Sequence, residues 1–205
     1  LGEYDVVELR LRVFERFDYE FVTEAAKLTR AIVKARKKEY DVAVPMLKEC
    51  LREISPDSRI HVVNELMDIY LQTNNHQEIA ELLKKEKEIL PENPQTPYKH
   101  RSIGKYYRYK GAFQIQTGSL DEGIDSYING LSAYGEVSAY QEITECMTDI
   151  LSQFDKLKKS IDIQYVENIR GCMVKFIKKG KGEVCNNENI EDIDCISPVY
   201  CCIYE

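Results

Sequence analysis

No run of apolar residues in this 205-residue sequence approaches the roughly 18 that a membrane-spanning helix needs. A membrane span is therefore not expected. There are seven cysteines but no C-x-x-C pair. Cys185, Cys195, Cys201 and Cys202 fit no common zinc spacing, and no histidine lies among them. The three histidines, His61, His76 and His100, are scattered, with no nucleophile at a motif spacing. A glycine-rich phosphate loop, G-x-S-x-G and H-E-x-x-H are all missing. These absences set the first expectations: no enzyme, no catalytic residue, no cofactor and no metal. Basic excess is missing too. The net charge of −7 argues against this chain gripping nucleic acid by itself.

What is present is helical. The stretch Gly104–Gly135 reads as two helices joined at Thr117-Gly118. Glycine there suits the left-handed conformation that many helix ends require. Ser119 is expected to cap the second helix, with Asp121 and Glu122 in its first turn. Ile124, Tyr127, Ile128 and Leu131 recur at helical spacing. The stretch resembles a tetratricopeptide repeat, a helix–turn–helix unit of about 34 residues. Tyr107, Gly111, Gly118, Leu120, Gly123, Tyr127 and Gly130 fall on its signature positions. Small residues there let paired helices approach closely. Both alanine positions are glycine, at roughly 1 kcal/mol each in a helix interior.

Other pairs flank this one. Residues 4–17 read as an N-terminal helix, or as a linker from an upstream domain. Its Glu, Arg and Leu content favours helix over the strand that its alternation also allows. Phe21–Lys37 and Asp41–Ile54 form a first pair, with Pro45 expected in a first turn. Ile60–Gln72 and Gln77–Leu90 form a second, turning at Asn74. The turn-rich stretch Pro91–Pro97 delays the next repeat. Ser138–Phe154 and Leu157–Ile169 read as a fourth pair, followed by a basic run at Lys175–Lys181.

The predicted organisation is an N-terminal helix over 1–18, a helical repeat domain over 19–178 and an acidic, cysteine-rich, poorly ordered tail over 179–205. The tail from residue 183 carries six acidic side chains and no Lys or Arg; removing them from the net −7 leaves −1 for the rest. It can fold back on the Lys-rich segment 156–181. Cys50, Cys146 and Cys172 lie within predicted helices and are read as small core hydrophobes. The fold class is all-α: a tetratricopeptide-repeat-like right-handed superhelix of helix–turn–helix pairs.

In stacked repeats the first helix of each pair lines a concave face, the usual binding surface. The lining positions here are His61, Asn64, Asp68, Leu71 and Gln72; then Lys105, Arg108, Ala112, Ile115 and Gln116; then Glu142, Glu145, Asp149, Ser152 and Gln153. Arg101, Lys105 and Arg108, at i, i+4 and i+7, make one basic stripe. The candidate peptide-binding set is Asn64, Asp68, Arg101, Lys105, Arg108, Gln116, Glu145 and Asp149. Asn64 offers an amide that donates and accepts, and Arg108 offers bidentate capture of a carboxylate. Both are expected to be solvated in a channel they share. The plainer alternative is that these polar groups only keep a groove wet.

The stretch YYRYKGAFQIQTGSLDEGIDSYINGLSAYGEVSAYQEITECM resembles the C-terminal region of bacterial helix-turn-helix regulators with degenerate repeats. These belong with the peptide-pheromone receptors of the Rap–Rgg–NprR–PlcR–PrgX group. The resemblance implies a cytoplasmic sensory domain that binds a short peptide or partner segment in its groove. It implies a homodimer, and contact with DNA only through an N-terminal domain missing from this chain. The absence of an initiator methionine at Leu1 fits that expectation. The alternatives are a generic repeat scaffold for protein interaction, and a Rap-like phosphatase or inhibitor of a response regulator.

Overall fold

The computed structural model describes residues 3–14, 16, 19–91 and 94–156. Among them are nine α-helices, one short 3-10 turn at Pro56–Ser58 and no strand. The helices are α1 (Glu3–Phe14), α2 (Glu20–Arg36), α3 (Tyr40–Glu53), α4 (Arg59–Gln72), α5 (His76–Leu83), α6 (Glu86–Ile89), α7 (Pro97–Gln116), α8 (Leu120–Gly135) and α9 (Tyr140–Lys156). The protein is all-α over these residues. None of these helices is long and apolar enough to cross a membrane. The predicted helix 157–169, the basic run and the tail lie outside the described residues, as do Cys172 and the four tail cysteines.

Four helix ends share one device. Lys38, Asn74, Gly118 and Ser138 all have positive φ, between 51° and 93°. At each, the next residue's N–H bonds back five residues: Glu39 to Lys34, Asn75 to Tyr70, Ser119 to Gln114 and Ala139 to Tyr134. The left-handed residue itself bonds back three residues. This is the Schellman arrangement, which satisfies orphan carbonyls and reverses the chain sharply. Only Asn74 and Gly118 advertise it by residue type. Ser138, expected inside α9, is instead the turn residue. Ser119 makes no side-chain cap; its N–H is committed to the turn before α8.

The chain divides into two compact units between Glu92 and Asn93, within the turn-rich stretch. In the first unit α4 is enclosed. Ile60, Val62, Val63, Leu66, Met67, Ile69 and Tyr70 are all buried, and α2, α3, α5 and α6 pack against it. A helix apolar on most sides belongs inside. α1 rests on α2 through buried Leu11 and through Lys37 ion pairs to Asp5 and Glu8, each at 3.2 Å. Pro45 sits inside α3, beyond the expected first turn. It leaves the carbonyl of Asp41, an exposed residue near the helix start, without its helical donor. The helix expected over 77–90 breaks into α5 and α6 at Lys84-Lys85.

In the second unit α7 starts at Pro97, well before Gly104. Thr96 caps it by accepting from the Lys99 N–H at 3.2 Å, and Pro97 takes the first helical position. α7 and α8 pack along two glycine rungs, Gly111 against Gly123 and Gly104 against Gly130. A Cβ on Gly111 would sit 2.8 Å from the Gly123 carbonyl oxygen, and one on Gly130 would sit 3.0 Å from that of Gly104. The pairing runs in opposite directions along the two helices, so they are antiparallel. Glycine occupies these positions because the backbones approach too closely for a methyl group to fit without a shift. Tyr127 fills the space beside the Gly111 rung, and Tyr134 lies over Gly104.

Candidate functional site

The eight candidate residues divide between the units. Asn64 and Asp68 are on α4 of the first; Arg101, Lys105, Arg108 and Gln116 on α7, and Glu145 and Asp149 on α9, belong to the second.

Asn64 is not solvated as expected: it is 2% exposed. α2, α3, α5 and α6 all pack against α4. Arg36, near the end of α2, reaches Glu65 at 2.8 Å and Asp68 at 3.3 Å. Asp68 also accepts from Gln72 Nε2 at 2.9 Å, and Tyr40 donates its hydroxyl to Gln72 Oε1 at 2.6 Å. This cluster of Arg36, Glu65, Asp68, Gln72 and Tyr40 joins α2, α3 and α4. Sequence reading missed Arg36, Glu65 and Tyr40 as polar partners. The available signal was the acidic pair Glu65 and Asp68 at i, i+3, which needs a cation nearby.

In the second unit the basic stripe of α7 meets an acidic stripe on α9. Arg101 Nε pairs with Glu142 at 3.0 Å. Arg108 donates from Nε to Asp149 Oδ2 at 3.3 Å and from Nη1 to Glu145 Oε2 at 3.5 Å. Asp149 also accepts the Tyr127 hydroxyl at 2.8 Å and Gln153 Nε2 at 3.3 Å. Gln116 Nε2 donates to Gln153 Oε1 at 3.2 Å, extending the line along α7. Lys105 instead lies over the Tyr109 ring at 5.6 Å. So four of the six second-unit candidates, Arg108, Gln116, Glu145 and Asp149, form one network across α7, α8 and α9, while Arg101 pairs separately with Glu142 and Lys105 lies over Tyr109.

Arg108 is therefore not an open groove cation; its side chain is 25% exposed. Burial opposes its charge, but Asp149 more than offsets this and holds its pKa above the ordinary value. Burial also pushes the Tyr127 phenol up, and the Asp149 carboxylate adds to the shift. Tyr134 and Cys146 are pushed up by burial as well, so Cys146 stays a neutral thiol. Cys50 and Cys146 are buried within helices, as core hydrophobes. Ala112 and Ile115, expected to line a groove, are buried; Ile115 packs where a Gly123 side chain would stand.

Among the described residues no group of three His, Cys, Asp or Glu side chains is arranged to hold a metal ion. The chain matches no family model, no curated protein and no solved structure.

Proposed function

We propose that this chain is a sensory domain of a bacterial regulator, built as a tetratricopeptide-repeat-like superhelix that binds a short peptide or partner segment. The observation that supports the reading is the facing of two charged stripes. Arg101 and Arg108 on α7 stand against Glu142, Glu145 and Asp149 on α9. Paired, alternating charge of this kind suits the polar backbone and termini of an extended peptide. Arg101, with its side chain 52% exposed, is the cation a ligand reaches first. The resemblance adds the downstream roles: a homodimer in the cytoplasm, relaying binding to a DNA-binding domain.

The internal pairing of Arg108 favours a second reading, a repeat scaffold for protein interaction with no regulatory ligand. Calorimetry with a peptide recovered from the native host separates the two. A charge-assisted bond is worth about 1.5–3 kcal/mol, so Arg101→Ala and Arg108→Ala should each weaken the peptide roughly tenfold to hundredfold. Equal binding by parent and both variants would reject this surface as the peptide site.

A further inference from the structure

The first unit holds a cleft of about 420 Å³ among α3, α4, α5 and α6. Leu66 and Tyr70 of α4 form its inner wall. They lie two residues along from Asn64 and Asp68, hence on the opposite face of the helix from the candidate set. Cleft size and apolar lining suit a small ligand.

Three observations bear on what occupies it. Tyr70 is 3% exposed and lines the cleft, its side chain beside the Lys48–Glu78 pair but its hydroxyl without a hydrogen bond of good geometry to the described residues. A buried hydroxyl left so is costly, and a ligand oxygen would satisfy it. The lining charges are also unbalanced. Glu78 is held by Lys48 at 3.1 Å and Glu81 by Lys84 at 2.6 Å, which leaves Glu88 as the one lining acid without an ion pair among the described residues. Against it stand Arg52, Arg59 and Lys85, whose side chains have no partner among the described residues. Finally, α5 and α6 are separated at Lys84-Lys85 within ELLKKEKEIL, which has no glycine or proline and consists of strong helix formers. Leu82, Lys85 and Ile89, at i, i+3 and i+7, share the lining beside this break. Local preference gives way here, as it does at functional positions.

We propose that this cleft binds an apolar carboxylate: an aliphatic body against Leu66 and Leu82, its carboxylate held by Arg52 and Arg59 with the Tyr70 hydroxyl donating. This site is separate from the α7–α9 network and stands without the peptide reading. The ligand's source is either a free aliphatic acid or the C-terminus of a peptide ending in an apolar residue.

The test is calorimetric titration of the 205-residue chain with two acids, octanoate and acetyl-leucyl-leucine, each against its amide. At least one acid should bind in the micromolar-to-millimolar range, and its amide at least about tenfold more weakly. The acid that binds identifies the source. The Arg52→Ala/Arg59→Ala double variant should lose the preference for acid over amide, while Gly135→Ala, in the second unit, keeps it. Binding by neither acid at millimolar concentration, or equal binding of acid and amide, would overturn the proposal. The acid–amide comparison needs no variant, so it stands even if the double variant folds poorly.

Discussion

Adding one methyl group at Gly111 should destabilise the second unit, although the same change in an ordinary helix would stabilise it. The new Cβ would lie 2.6 Å from Tyr127 Cδ2 and 2.8 Å from the Gly123 carbonyl oxygen. Tyr127 is 1% exposed and tied to Asp149, so its ring cannot swing aside. The carbonyl is backbone within α8 and gives way only if the helix moves. Overpacking of this kind costs about 1–3 kcal/mol. Alanine's better helix propensity returns about 1 kcal/mol. The net for Gly111→Ala is a loss of up to about 2 kcal/mol, or a fall in Tm of up to roughly 8 °C for a chain of this size. Gly135→Ala is the control: nothing lies within 4 Å of a Cβ there, so the propensity gain is unopposed and the variant should match or exceed the parent. Urea unfolding followed by circular dichroism measures both. If Gly111→Ala were as stable as Gly135→Ala, the close helix approach at the glycine rungs would be refuted.

Tyr127→Ala should cost about 3–5 kcal/mol, because a fully buried ring is removed from between α7, α8 and α9; a loss under about 1 kcal/mol in urea unfolding would contradict that placement. Arg108→Ala should cost about 1–3 kcal/mol without any ligand, since it leaves Asp149 and Glu145 short of a cation; an unchanged Tm would show that the bridge contributes nothing. Tyr127 also gives a pH signature. Its folded pKa lies above the ordinary value near 10, so its contribution is complete below about pH 10. Above that, the unfolded chain releases the proton while the folded one keeps it, and stability falls by up to about 1.4 kcal/mol per pH unit. Tyr127→Phe should flatten this decline between about pH 10 and 11, whereas parallel profiles would contradict the argument.

Helix content and the turn at Gly118 were legible because they depend on local chemistry: apolar periodicity, and a residue tolerant of positive φ. Tyr127, Gly111, Gly123 and Gly130 were legible as packing positions, whereas Gly104 was legible only as the start of the stretch and not as the partner of Gly130. Lys38 and Ser138 were not legible as left-handed residues, because neither side chain favours that conformation and the reversal is imposed by the helices on either side. Asn64 failed for a related reason. Its expected register says which face of α4 it occupies, but not that the helices packed around α4 bury it. The charges of Arg101, Arg108, Glu142, Glu145 and Asp149 were visible, yet the pairing of Arg101 with Glu142 and of Arg108 with Glu145 and Asp149 depends on how α7 and α9 align, which i, i+4 spacing within one helix does not encode. The break at Lys84-Lys85 opposes local propensity, so no sequence signal marks it.

Native mass spectrometry of the chain purified from its own source tests the proposed peptide-sensing role most directly. A peptide receptor should show an added mass equal to a short peptide, released on gentle activation and much reduced in Arg101→Ala and Arg108→Ala. The bare chain mass alone, in the parent and both variants, would contradict the account.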